Sequence, residues 1–199
     1  MVKYPSFHFF HNSKAEILDV LLHGGSKGVT SSFIQKIFTA CQKKGHSVIA
    51  SWLHIVERGE ENSSGPELKE ETKTLRNILK IAQYKNYKNI HLIGKSLGGI
   101  VISYFLKQLT KKKQKKYSII FLGFVVGSVT LKGFTGKITI IQGEKDRFGN
   151  IKAVKRNLKN AKLRKVKCYE IKGADHSYRI PETKDPATSL LKRKLLGKL

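Results

Sequence analysis

Short, continuous apolar runs alternate along this chain with segments whose apolar residues recur every three or four positions. Ile17–Leu22 reads as a strand ending at His23-Gly24-Gly25. Ile34, Ile37, Phe38 and Cys41 then follow helical spacing, with Gly45 as a stop signal. Residues 47–53 form the next strand and residues 58–66 are loop-like. Leu68, Leu75, Ile78, Leu79 and Ala82 give the following helix its buried stripe. Residues 90–93 are again strand-like, and Ile100, Val101, Tyr104, Phe105 and Leu109 mark a helix behind them. Residues 119–126 are almost wholly apolar, as a strand covered on both faces would be. Residues 138–141 and Val166–Ile171 are two more strands, around a short helix carrying Ile151, Val154 and Leu158. Leu190, Leu191, Leu195 and Leu196 suggest a closing amphipathic helix. Such alternation predicts a three-layer α/β/α sandwich with a mainly parallel sheet of six strands. Phe7–Phe10 supplies a seventh at the edge.

A length of 199 residues with 40% hydrophobic content suits one domain with a single core. No repeat or linker divides it, and it leaves no room for a separate cap domain. The terminus Met1-Val2-Lys3-Tyr4-Pro5 lacks the apolar stretch of a signal peptide, and no run is long enough to span a bilayer. Two cysteines, Cys41 and Cys168, are too few for a disulfide framework and read as small buried hydrophobes. The expectation is a cytoplasmic protein. The formal charge of +25, from 39 basic and 14 acidic residues, changes the picture only at the surface. It favours anionic ligands or surfaces without choosing among them. Lysine dominates, and neither zinc-finger spacing nor an aromatic-interleaved RNA-reading motif accompanies it, so no specific nucleic-acid partner is expected.

The chemistry concentrates at three strand ends. Gly94-Lys95-Ser96-Leu97-Gly98 follows one strand and opens a helix, the setting in which G-x-S-x-G forms a sharp turn that presents its serine. A serine hydroxyl needs an adjacent base to attack at neutral pH, and a histidine can take and return that proton. His176 lies just beyond the last strand and Asp146 just beyond the one before it. The chain order Ser96, Asp146, His176 is that of a catalytic triad on this topology. Glu144 and Asp175 are rival acids. The oxyanion formed during acyl transfer would take one hydrogen bond from the N–H of Leu97 and a second from Gly25 or Ser26. His23 is better placed to tie its loop together than to catalyse. His8, His11, His46, His54 and His91 have no comparable context, and no H-E-x-x-H or paired-cysteine spacing indicates a metal. Neither a metal nor a cofactor is expected.

Together these motifs resemble the α/β-hydrolase superfamily, in particular its small, lidless serine esterases and dienelactone-hydrolase-like branch. Gly94-Lys95-Ser96-Leu97-Gly98-Gly99 resembles the family's nucleophile elbow, His23-Gly24-Gly25 its oxyanion loop, and Gly143-Glu144-Lys145-Asp146 its acid turn. Arg58-Gly59 resembles the arginine–glycine pair many members carry. Ser26 stands where that loop often has a second glycine, and dienelactone hydrolases proper use a cysteine where this chain has Ser96. The resemblance implies hydrolysis of a small ester or thioester, and the charge admits an anionic one. A noncatalytic protein binding an anionic ligand or nucleic acid through its basic surface is the alternative, and the sequence leaves the oligomeric state open.

Overall fold

The computed structural model describes residues 6–25, 27–60, 64–161, 163 and 165–180. The closing helix and Ser26 lie outside the described residues. Seven strands form one sheet: β1 (Phe7–Phe10), β2 (Ile17–Leu22), β3 (Ser47–Ser51), β4 (Asn89–Lys95), β5 (Tyr117–Leu122), β6 (Ile138–Gly143) and β7 (Val166–Ile171). Their order is β1-β3-β2-β4-β5-β6-β7. Six run parallel, and β1 pairs antiparallel with β3, Phe7 opposite Ser51 and Phe10 opposite Val48. The expected edge strand is therefore present.

The helices are α1 (Ser32–Lys43), α2 (His54–Glu57), α3 (Lys69–Ile81), α4 (Leu97–Lys107), α5 (Lys111–Gln114) and α6 (Ile151–Leu158). Alternate residues of β2 separate the two layers. Leu18, Val20 and Leu22 pack with Leu75 and Ile78 of α3, Val101 and Phe105 of α4 and Val154 of α6. Leu21 faces the other way, onto Ile34, Ile37, Phe38 and Cys41 of α1. Side-chain oxygens of Ser31, Thr110 and Asn150 accept backbone N–H bonds at the starts of α1, α5 and α6.

Three sequence expectations need correcting. The strand expected over 119–126 ends at Leu122, because Gly123 adopts φ 67° and turns the chain out of the sheet. Apolar character continues past that point because Phe124 is buried in the loop, 1% exposed. The strand expected over 47–53 stops at Ser51 and α2 follows, too short for a periodic pattern to reveal. Cys41 is fully buried as expected, but Cys168 is only half-buried because β7 is an edge strand.

Candidate active site

Parallel strands bring their carboxyl ends to one edge of the sheet, where loops can meet across sequence distance. Ser96 follows β4, Asp146 follows β6 and His176 follows β7. Ser96 has φ 50° and ψ −114°, a sterically costly conformation for a residue with a side chain. What fixes it is the close approach of α4 to the sheet. A Cβ on Gly98 would stand 2.4 Å from the Leu22 carbonyl oxygen, so only glycine fits there. The Gly98 N–H donates instead to the His23 carbonyl at 3.1 Å.

The three sequence-selected residues meet in one chain of hydrogen bonds. Ser96 Oγ lies 2.9 Å from His176 Nε2, and His176 Nδ1 lies 2.7 Å from Asp146 Oδ2. Asp146 is 6% exposed, and its Oδ1 accepts the Phe148 N–H at 2.8 Å. Phe148 also sets its ring edge-on against the imidazole, 4.6 Å between centroids. The rival acids are engaged elsewhere. Glu144 accepts the Gly173 N–H at 2.7 Å, while Asp175 accepts the N–H groups of Ser177 and Arg179 at 2.8 and 2.9 Å. Both therefore shape the turn that carries His176.

Four N–H groups open any α-helix without intrahelical partners. At the start of α4, Ser96 donates to the Leu122 carbonyl, Gly98 to that of His23 and Gly99 to that of Ser96. That leaves the N–H of Leu97, next to Ser96, as the unclaimed donor among the described residues. Gly25 is exposed on the facing loop, with open space around its Cα. Ser26, its rival for the second donor, lies outside the described residues. His23 is 1% exposed; its Nε2 accepts the Leu53 N–H at 2.9 Å, so its Nδ1 carries the proton toward the Gly24 carbonyl, 2.5 Å away. Burial lowers its pKa and keeps the ring neutral. It is a loop tie, as its position suggested.

Several residues that sequence reasoning did not select complete the site. Gln142, fully buried on β6, holds Asp146 Oδ2 at 3.0 Å and exchanges bonds with the backbone of Phe124 at 2.7 and 3.2 Å. Tyr178, also fully buried, donates its hydroxyl to the Ile141 carbonyl at 2.6 Å and stacks on Phe33, anchoring the His176 loop. Gly123 leaves space for both the His176 ring and the Lys95 amine, each 2.9 Å from the position of an added Cβ. Burial pushes the Lys95 ammonium down to about 8, against the opposing pull of Asp146 and Asp175. None of these has a local motif that marks it in the sequence.

A family model described as an alpha/beta hydrolase domain matches residues 15–193. This chain belongs to the alpha/beta hydrolase family. Among curated proteins, none matches it in sequence. Solved structures share the fold of this hydrolase-family chain at low identity. An alpha-beta serine hydrolase homologue from Coxiella burnetii has a TM-score of 0.75 and 14% identity, covering 100% of this chain and 99% of the other. Est1E from Butyrivibrio proteoclasticus, solved with ferulic acid bound, has a TM-score of 0.75 and 12% identity over 97% and 93%. XC6422 from Xanthomonas campestris, a serine hydrolase without a lid, has a TM-score of 0.73 and 14% identity over 96% and 85%. No helix among the described residues is long and apolar enough to cross a membrane.

Proposed function

We propose that this chain is a serine hydrolase that cleaves a small carboxylic ester or thioester through an acyl-enzyme. The observation carrying this reading is the unbroken hydrogen-bond path from Ser96 Oγ through His176 to Asp146. Ser96 Oγ attacks the carbonyl carbon as His176 Nε2 takes its proton. Asp146 holds the other ring nitrogen and stabilises the imidazolium. The N–H of Leu97, with that of Gly25 or Ser26, receives the developing oxyanion. Collapse of the tetrahedral intermediate breaks the bond to the leaving group, which departs with the proton from His176. Water then repeats the sequence on the acyl-enzyme, releasing the acid and restoring Ser96.

We also read the chain as one minimal domain without a separate cap, and as cytoplasmic. The unpaired state of its two cysteines supports the second point. A fluorophosphonate probe should label the wild type and fail on Ser96→Ala. Asp146→Asn should fold normally and lose turnover by about 10⁴-fold, the scale seen when a triad acid is neutralised. Labelling that survives Ser96→Ala overturns the assignment.

A further inference from the structure

At the opposite end of the sheet from Ser96, three residues that no motif connects come together under α1. Asp19 is the third residue of β2 and stands in register with His91 of β4. His46 sits in the turn leading into β3. Asp19 is 0% exposed. Its Oδ2 lies 2.8 Å from His46 Nδ1 and its Oδ1 lies 2.8 Å from His91 Nδ1. Five residues of extended strand, about 16 Å at 3.3 Å each, separate His91 from Ser96. The cluster is therefore independent of the proposed reaction centre.

We propose that Asp19, His46 and His91 bind a divalent transition metal of the zinc class. One donor atom from each lies within 4.8 Å of the other two. Bonds of about 2.0–2.2 Å in tetrahedral geometry set donors roughly 3.3–3.6 Å apart. The two Asp19–imidazole contacts, 2.8 Å each, fall short of that spacing, so the side chains would rotate apart to admit the ion. Two imidazoles with one carboxylate suit zinc or ferrous iron, whereas magnesium and calcium prefer oxygen donors. Charge points the same way. Among the described residues no lysine or arginine pairs with the buried Asp19 carboxylate, and a dication replacing the two Nδ1 protons would supply a counter-charge.

The imidazoles of His46 and His91 remain 11% and 12% exposed while the carboxylate is sealed. Bound metal would pin the starts of β2, β3 and β4 together, so its binding energy would appear as folding stability.

The test uses the full chain, without a histidine tag, stripped by chelator and titrated with cobalt(II). The expected result is one cobalt per chain, with the visible absorption of a low-coordinate site, displaced by zinc. Zinc should also raise the unfolding midpoint in a concentration-dependent way. His46→Gln and His91→Gln should each weaken cobalt binding at least tenfold, whereas His8→Gln and His176→Gln should retain it. Absence of stoichiometric binding overturns the proposal, as does binding unaffected by His46→Gln and His91→Gln. If either variant fails to fold, nitrogen NMR of the wild type decides. Saturating zinc should convert the Nδ1 signals of His46 and His91 to metal-bound positions, and unchanged signals refute the site.

Discussion

Gln142 donates its side-chain amide to Asp146 Oδ2, the same carboxylate oxygen that accepts from His176. The acid's orientation is therefore set from β6, by a side chain whose carbonyl is itself held by the Phe124 N–H. Removing that amide leaves Asp146 and the Phe124 backbone short of buried partners. Gln142→Ala should lower unfolding free energy by about 1–3 kcal/mol, the cost of unsatisfied buried groups. It should also reduce kcat more than it raises KM, because the fault lies in orienting His176. Denaturant unfolding and ester hydrolysis measure the two effects separately.

Gly123 should tolerate no side chain. Its φ of 67° costs an L-residue about 1–2 kcal/mol, and an added Cβ would crowd the His176 ring at 2.9 Å. Gly123→Ala should therefore slow serine-probe labelling at least tenfold while the chain remains folded by circular dichroism. Labelling at the wild-type rate would mean that the imidazole is not confined there.

Lys95 should make stability rise with pH in an alkaline window. Its pKa is about 8 in the folded chain against an ordinary value of 10.5. The unfolded chain binds the extra proton between those values, so unfolding free energy increases with pH from about 8 to 10.5. Below that window the buried ammonium costs on the order of 3–4 kcal/mol, at about 1.4 kcal/mol per pKa unit. Lys95→Met should flatten this part of the profile and stabilise the chain at pH 7. Urea unfolding across the window checks the sign.

Substrate size follows from the absence of a cap in the proposed architecture. Nitrophenyl acetate and butyrate should be turned over with higher kcat/KM than the dodecanoate or palmitate esters. The exposed ring of Phe148 beside His176 offers an apolar surface for a short acyl or aryl group. A strong preference for long chains would require a tunnel that this reading does not contain.

The proximity of Ser96, Asp146 and His176 was legible because each stands at a strand end within a local pattern, and chain order suggested the roles proposed for them. The central strands were legible because parallel strands buried on both faces are mostly apolar, as in β2 and β5. Gln142 escaped notice because its importance comes from the β5–β6 neighbourhood, where Phe124 meets it, and no spacing encodes that contact. Gly123 looked like part of an apolar strand because the buried Phe124 follows it. His46 and His91 were set aside for want of a spacing motif. Their common partner, Asp19, belongs to a third element, and strand register brings them together.

The backbone at Ser96 has a consequence for how this protein can be altered. A φ of 50° with ψ −114° is one that glycine accepts freely and serine does not. Ser96→Gly should thus relieve strain of about 1–3 kcal/mol while removing the proposed nucleophile. Selection for thermal resilience alone would drift toward glycine at this position. Keeping serine there is a standing sacrifice of robustness, and stabilising screens run without an activity readout would enrich dead variants.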